Sequence, residues 1–310
     1  RDPRITVDTG GVAIAHSVRA VASSTGVGEV WQSAAGSGHV FGMAVDGDEV
    51  GSFSYDGDAV RTFDVLHSSL EAAFGRFVSN AIGAMGAGRG ESFRGPIILS
   101  PDAVDDMLIG PLMQNLGADA IRQGRSALAG RVGDVIAAPG FTLAEGGNGL
   151  PGYALAPFDR EGQPRAPLTL VEDGVLKAFL CDSYEARASG LAPTGHAQGG
   201  ATSLPRVGPA ALSLARGEVP IADLERLDRG VIVTRFSGST DAVSGDFSGV
   251  VKGGFMVVDG ERRPINETTV AGNLWECLKN ISARSCEVET RYGTRAWPGL
   301  RVEDVSITAG

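Results

Sequence analysis

Short runs of β-branched and small apolar residues alternate with glycine-rich segments over the first ninety residues, and this pattern predicts strands joined by turns. The strands are expected at 5–7, 13–15, 18–22 and 39–45. Asp-Gly pairs in VDGDEV (45–50) and YDGDAV (55–60) are preferred in type I′ hairpin turns, so we expect a hairpin at each. Apolar residues then recur at helical spacing, which predicts a helix over 66–84.

A glycine-rich linker, GAGRGESFRG (86–95), follows the predicted helix and is typical of a domain boundary. We therefore divide the chain into a first region, 1–90, with strands and then a helix, and a second region, 94–310.

The second region opens with a buried-type strand, GPIILS (95–100), followed by a strong helix start. Ser100-Pro101-Asp102 combines an N-cap residue, a proline at the first helical position and an early acid. The helix is expected over 101–116, kinked or broken at Gly110-Pro111 because proline has no backbone N–H to donate to the helix.

Turn signals recur through the remainder of the chain. TLVEDGVLKAFLCD (169–182) and GGFMVVDGERRPINE (253–267) each predict a strand, an Asp-Gly turn and a second strand. The other expected elements are strands at 232–236 and 302–308, helices at 183–188, 222–227 and 272–280, and a loop at 124–134. The predicted fold class is α+β, with mostly antiparallel sheets and segregated helices in two regions.

Composition narrows the choice of partners. The 310-residue chain carries a formal net charge of −10, and its basic residues are scattered, so we expect no nucleic-acid partner. No stretch approaches the ~18 apolar residues of a membrane span, so no membrane partner is expected. Three cysteines in a chain of this length predict reduced thiols in a cytoplasmic protein.

The chemistry-bearing residues do not form a recognisable catalytic motif. None of the four histidines lies at i,i+3 or i,i+4 from another, and Cys-x₂-Cys is absent, so this chain alone predicts no zinc site and no cofactor. Ser126 or Ser244 could be written into a triad with His196, but serines in such loops more often hydrogen bond the backbone. His196, in a glycine-flanked loop, is expected to be exposed, and no catalytic residue is assigned.

Six stretches occur in a fixed order over about 94–310: GPIILSPDAVDDML, GRSALAGRVGD, PFDREGQPRAPLTLVEDGVLKAFLCDSYEARASG, TRFSGSTDAVSGDFSG, GGFMVVDGERRPINETTVAGNL and GLRVEDVSITAG. In this order they resemble the TldD/PmbA family, specifically its PmbA (TldE) branch. Residues 1–90 resemble the family's middle region, and the family's first N-terminal domain is expected to be absent.

The resemblance implies a heterodimeric metalloprotease that acts on unfolded or extended peptides. In that family the TldD subunit holds zinc through His-Glu-x-x-x-His on a helix and a cysteine near the C-terminus. The helix that looks equivalent here, 101–116, has neither His nor Glu between Asp106 and Gln114, and RYGTRAWPG (291–299) has no Cys. The resemblance therefore implies a TldE-like subunit without metal, inactive alone, with zinc only in a TldD-like partner. A homodimer is the other assembly left open.

What such a subunit can supply is a surface for an extended peptide, which binds by adding to a sheet edge. The stretch TRFSGSTDAVSGDFSG suits this role, because its glycines allow close backbone approach, its Ser and Asp are polar partners, and its Phe residues can cover an apolar side chain. The candidate peptide-binding residues are Arg235, Phe236, Ser237, Gly238, Ser244, Gly245, Asp246 and Phe247. A plain β connection packed inside the domain is the alternative for this stretch.

Two other functions stay open for the chain as a whole. One is a stand-alone peptide-binding or scaffold protein of a peptide-maturation pathway. The other is a metal-independent hydrolase that uses Ser or Asp.

Overall fold

The computed structural model describes residues 2–24, 26–146 and 156–310. Its first part is a four-stranded antiparallel sheet covered by one long helix. In chain order these elements are β1 (Ile5–Ala22), β2 (Gly28–Asp46), β3 (Glu49–Val50), β4 (Ser54–Val60) and, after a 3₁₀ turn at Phe63–Val65, α1 (Leu66–Gly83).

The expectation of several short strands at the start of the chain is wrong, because β1 and β2 form one long hairpin that runs through the glycine-rich segments. Some of these glycines serve packing instead of turns. A Cβ at Gly36 would lie 2.7 Å from Cδ2 of Leu66, and one at Gly38 would lie 2.8 Å from Cδ2 of Leu70. The bare backbone thus lets α1 lie directly on β2. Helix α1 itself confirms the prediction over 66–84 to within one residue.

The two Asp-Gly pairs of this region behave differently. The pair in 45–50 forms the predicted hairpin between β2 and β3, with Gly47 at φ 60° in the turn. The pair in 55–60 does not turn, so that prediction is wrong. Gly57 lies inside β4 opposite His39, where a Cβ would come 2.6 Å from the carbonyl oxygen of Gly38. Close strand contact explains this glycine.

The rest of the chain builds a fourteen-stranded mixed sheet with short helices around it. Its first elements are β5 (Gly88–Arg89), β6 (Phe93–Leu99), α2 (Pro101–Val104), a π-helical turn (Asp105–Ile109), α3 (Gly110–Met113), α4 (Ala118–Arg122), β7 (Leu143–Glu145), β8 (Leu168–Glu172), β9 (Val175–Leu176), α5 (Ser183–Ser189), β10 (Ala197–Gln198), β11 (Arg206–Val207) and β12 (Leu212–Leu214). The remaining elements are α6 (Ile221–Leu224), β13 (Arg229–Val233), β14 (Arg235–Thr240), β15 (Asp246–Lys252), β16 (Gly254–Val258), β17 (Glu261–Asn266), β18 (Thr269–Asn273), α7 (Leu274–Lys279), β19 (Ile281–Arg291) and β20 (Arg295–Thr308).

Most strand pairs in this sheet are antiparallel, and β12–β20, β13–β6 and β17–β5 are parallel. Strands β10 and β11 pair apart from it as a small ladder of their own. This arrangement confirms the predicted α+β class. One helix-bearing side of the sheet buries the main core, which includes Trp297, Met107 and Leu108. The division at 90–94 stays a prediction, since β5 pairs with β17 and so joins the larger sheet.

The predicted helix over 101–116 forms, with its regularity broken where expected. Ser100 caps it by accepting the N–H of Ala103 at 3.3 Å. The N–H of Gly110 reaches back five residues to the carbonyl of Asp105, which defines the π turn just before Pro111. Because Pro111 has no N–H to donate, the ladder is interrupted at this point.

The Asp-Gly turns of the second region confirm their predictions. Asp173 and Gly174 join β8 to β9, and Asp259 and Gly260 join β16 to β17, all with positive φ as type I′ turns require. Helices α5 and α7 lie within or close to their predicted ranges, and α6 is shorter than expected. No helix in the described ranges is long and apolar enough to cross a membrane.

Candidate functional site

The stretch 231–249 folds as the end of β13 followed by the hairpin of β14 and β15. The two strands pair along their whole length, with Arg235 opposite Lys252 at the open end. Asp241 holds the connecting turn, because its Oδ1 accepts the N–H of Ser244 at 2.7 Å. Hydrogen bonds to this carboxylate keep its pKa below the usual range, so it stays ionised in the turn.

Strand alternation separates the eight candidate residues. The rings of Phe236 and Phe247 pack edge to face at 6.1 Å on the core side and are largely buried, so they support the hairpin from within. Gly245 is buried in the turn at φ 83°. The candidates that solvent reaches freely are Ser237, Gly238, Ser244 and Asp246.

Arg235 attaches this hairpin to the first region. Its guanidinium lies 4.4 Å over the ring of Tyr55, and Nη2 donates to the carbonyl of Phe53 at 3.2 Å. A cation over an aromatic face adds to the hydrogen bond, so both fix the start of β14. Tyr55 also lines a cleft of about 270 Å³ with Asp58 and Tyr292.

Strand β14 pairs with β15 alone among the described strands, so its other edge is unpaired. The N–H of Phe236 points to this edge and donates to Oδ2 of Asp106 at 3.4 Å. Since ladder groups alternate sides along a strand, Gly238 and Thr240 present their backbone N–H and C=O groups to the same edge. The edge therefore faces the π turn of the helix start.

Three aspartates lie on the helix beside this edge, and each forms an ion pair or a hydrogen bond. Asp102 pairs with Arg291 at 2.9 Å, and Asp105 pairs with Arg295. Burial raises the pKa of Asp105 and of Asp106, and for Asp106 the N–H of Phe236 opposes the rise. The acids at this helix start thus have specific contacts in addition to a favourable position in the helix dipole.

The expectation that His196 is exposed is wrong. Its side chain is 1% exposed, with Nε2 3.3 Å from Glu145 and Nδ1 2.8 Å from the hydroxyl of Thr194. The Thr194 hydroxyl in turn bonds the backbone of Cys181. The ring is therefore part of a buried polar network under the loop, which glycine flanks alone did not indicate.

Ser126 and Ser244, the two serines considered for a triad, hydrogen bond to backbone groups. Ser126 Oγ donates to the carbonyl of Asn115 at 2.8 Å and accepts the N–H of Leu128. Ser244 Oγ accepts the N–H of Asp246 at 3.2 Å. Neither hydroxyl has a hydrogen bond to His196 in the structure.

The side chains that could ligate zinc do not come together in the part of the chain that the structure describes. Within the described ranges no three His, Cys, Asp or Glu side chains are grouped so that they could hold a metal ion. The remaining residues, Arg1, Thr25 and GNGLPGYAL (147–155), contain none of these four types. The helix at 101–113 supplies only aspartates, and two of them are paired with arginines.

The sequence did not single out Arg291, Arg295 or the turn between them. These arginines are opposite one another where β19 meets β20, and each reaches one acid of the helix. A signal was present in RYGTR, where Tyr292 and Gly293 adopt positive φ in a tight turn flanked by two cations.

Comparison with known proteins identifies the family to which this sequence is related. The sequence profile of the PmbA/TldA metallopeptidase C-terminal domain matches residues 92–309. An uncharacterized protein of Methanocaldococcus jannaschii is 32% identical over 196 residues, 62% of this chain and 46% of that protein. The metalloprotease PmbA of Escherichia coli O157:H7 is 31% identical over 202 residues, 64% of this chain and 43% of that protein. The chain thus spans about half the length of these curated relatives.

The fold is shared with a solved structure. The crystal structure of TldE from Thermococcus kodakarensis superposes with a TM-score of 0.89 at 24% identity, over 99% of this chain and 70% of that chain. A TldD homolog of Buchnera aphidicola matches at 26% identity, below the PmbA match, in agreement with the predicted PmbA branch. The chain belongs to the PmbA/TldD metallopeptidase family, and its residues 92–309 form that family's C-terminal domain.

Proposed function

We propose that this chain is the non-metal-binding subunit of a two-subunit metalloprotease, which holds an extended peptide while a zinc-bearing, TldD-like partner cleaves it. Membership of the family supports the protease class. The observation that carries the peptide-holding role is the unpaired edge of β14 beside the helix at 101–113.

An extended peptide adds to such an edge through main-chain hydrogen bonds. Asp106 already accepts the N–H of Phe236, so pairing with a peptide begins at Gly238 and continues to Thr240. The exposed hydroxyls of Ser237 and Ser239 stand on the open face of the same strand. Peptide binding at this edge is sequence-tolerant, because the backbone supplies most of the contacts.

We place the zinc in the partner, because the His, Cys, Asp and Glu side chains of the described ranges do not group into a metal site, and we assign this chain no step of bond cleavage. Its role is to hold the peptide so that the scissile bond lies at the metal of the partner subunit. We also propose a cytoplasmic location. All three cysteines are free thiols, as is usual in a reducing compartment.

Reconstitution tests the proposal. The full chain, a TldD-like homologue from the same genome and their mixture are each given an unfolded protein, and the products are read by mass spectrometry with metal content measured in parallel. We expect the mixture to cleave the protein, neither chain to cleave it by itself, and a chelator to stop the cleavage. No cleavage in any sample favours a stand-alone binding protein, and chelator-resistant cleavage by this chain alone favours a metal-independent hydrolase. Either outcome contradicts the proposal.

Variants of the edge sharpen this test. Arg235→Ala removes the contact with Tyr55 and the bond to Phe53 that place β14, so we expect several-fold slower turnover by the mixture. Arg187→Ala, at an exposed arginine on α5, is the matched control and should leave turnover unchanged. Equal turnover by both variants would count against the peptide-holding role.

A further inference from the structure

Four arginines line a cleft of about 300 Å³ between the β1–β2 hairpin and loops of the second region. No residue of the β14–β15 hairpin lines it. We call it the arginine cleft, and its charged members are Arg19, Arg61, Arg160 and Arg165.

One wall of the arginine cleft is a single face of the long hairpin. Arg19 is directly opposite Trp31, and Ser17 is directly opposite Ser33, with the two hydroxyls 2.9 Å apart. Residues two apart on a strand share a face, so these four side chains form one continuous surface. It combines a cation, an aromatic ring and two hydroxyls.

The other wall comes from the loops of the second region, where backbone carbonyls fix the guanidinium groups. Arg160 donates from Nε to the carbonyl of Gly200 at 2.8 Å and from Nη2 to the carbonyl of Ser203. Arg165 donates from Nε to the carbonyl of Phe158 at 3.3 Å. Groups held in this way lose little freedom when they meet a ligand.

The described residues that line the arginine cleft include no carboxylate, in a chain whose net charge is −10. Arg19, Arg61 and Arg160 form no salt bridge with any residue that the structure describes. Asp159, next to Arg160, is fully buried, and its oxygens accept three backbone N–H groups. The segment 147–155, GNGLPGYAL, has no acidic residue to contribute.

We propose that the arginine cleft binds the carboxylates of an acidic peptide segment. Guanidinium groups match carboxylates in planar, two-point hydrogen bonds. No helix N-terminus lines the cleft in the described ranges, as a phosphate site commonly has. The arginines come from both walls, with Arg19 on the hairpin and Arg160 and Arg165 on the loops, so a ligand with several carboxylates can meet more than one of them.

The position of the arginine cleft relates it to the peptide-holding edge. Thr294 lines the cleft, and the next residue, Arg295, pairs with Asp105 on the helix beside β14. The turn between β19 and β20 therefore links the arginine cleft to the helix beside β14 through two consecutive residues. The inference rests on the proposed function: the cleft selects peptide substrates with acidic residues away from the scissile bond.

Calorimetric titration of the full chain with pentaglutamate and with pentaglutamine tests the cleft directly. We expect pentaglutamate alone to bind, and Arg19→Gln combined with Arg61→Gln to weaken it by about tenfold or more, since charge-assisted hydrogen bonds are lost. The control combines Arg187→Gln with Arg216→Gln, two exposed arginines outside the cleft with the same change in charge. It should change the affinity less than about twofold, because distant surface charges are screened.

Equal weakening by both double variants, or no binding of pentaglutamate, overturns the proposal, and so does inorganic phosphate binding more tightly than pentaglutamate. Circular dichroism shows whether each variant is folded. The proposed function is tested apart from this, because a neutral peptide is still cleaved by the reconstituted mixture if only the cleft assignment fails. If the mixture cleaves nothing while pentaglutamate binds as expected, the proposed function alone fails.

Discussion

Arg291, which is buried, and Asp102, which is partly exposed, form an ion pair that joins the end of β19 to the first turn of the helix beside β14. Nε of Arg291 lies 2.9 Å from Oδ1 of Asp102, and its Nη2 lies 2.8 Å from Glu289. Arg291 is 4% exposed, and nearby carboxylates raise its pKa despite its burial. The helix that faces the unpaired edge of β14 is thus held by a cation from the β19–β20 hairpin.

Replacing this cation tests how much the pair contributes to the fold. Arg291→Met keeps an unbranched apolar stem, removes the charged guanidinium and leaves Asp102 without its partner. Breaking a buried pair costs about 3–5 kcal/mol, and we expect the lower end because Asp102 retains some access to water. Urea unfolding measures the loss. Arg226→Met, in the exposed pair with Asp223, is the control and should cost under about 1 kcal/mol. Similar losses for both would contradict the finding.

Gly238 on β14 has no room for a side chain. A Cβ there would lie 2.5 Å from the carbonyl oxygen of Ser248 and would also strike the ring of Phe236. We expect Gly238→Ala to lower the free energy of unfolding by about 1–3 kcal/mol through overpacking. Gly75→Ala, in open space on α1, should raise it by up to about 1 kcal/mol. A neutral effect of Gly238→Ala would mean that the hairpin is looser than described.

Local signals predicted much of the fold because they act through neighbours in sequence. Helix α1 and the Asp-Gly turns at 173–174 and 259–260 follow from spacing and backbone preference alone. The glycines of β2 were misread as turns, because their reason is the contact of Leu66 and Leu70 across the sheet. Such contacts are invisible until the helix is placed.

The sequence predicted the candidate peptide-binding site only as a stretch of chain, residues 234–249, without the orientation of its side chains. Which side Phe236 faces depends on register, and register depends on β15 and β18, which lie far along the chain. The arginine cleft brings together residues from distant parts of the chain, among them Arg19, Arg61 and Arg165. No spacing rule connects residues that distant, so the sequence indicated the hairpin and not the cleft.

The raised pKa of Asp106 predicts an unusual pH dependence. In the folded chain this carboxyl holds its proton more tightly than in the unfolded chain, so its contribution to stability is full at low pH. That contribution is lost as pH rises from the ordinary value of 3.8 through the raised pKa. We expect the stability difference between wild type and Asp106→Asn to fall as pH rises over this range, measured by urea unfolding.

Asp304 is the matched control of opposite sign. Its hydrogen bond with Arg94 lowers its pKa, so its contribution is present above the unfolded value and is lost as pH falls through the lowered pKa. The difference between wild type and Asp304→Asn should therefore grow as pH rises. Parallel curves for the two variants would contradict the assigned environments.

The three thiols should differ in reactivity. Burial raises the pKa of Cys181 to about 11 and of Cys277 to about 12, whereas Cys286 is only half-buried. We expect iodoacetamide at mildly alkaline pH to modify Cys286 alone, and slowly, because its pKa is raised as well. Intact-mass measurement counts the labels, and Cys286→Ala should abolish native labelling. Rapid modification of Cys181 would show that its surroundings open.

Photo-crosslinking from the edge of β14 tests the peptide-holding role most directly. Benzoylphenylalanine replaces the exposed Ser239 on β14 or, as a control, the exposed Ser282 on β19, and each chain is illuminated with a biotinylated Ala-Thr repeat peptide. This neutral peptide keeps the arginine cleft out of the measurement. The account predicts a crosslink from position 239, competed by unlabelled peptide, and none from position 282. Equal crosslinking from both positions, or none from 239, would contradict it.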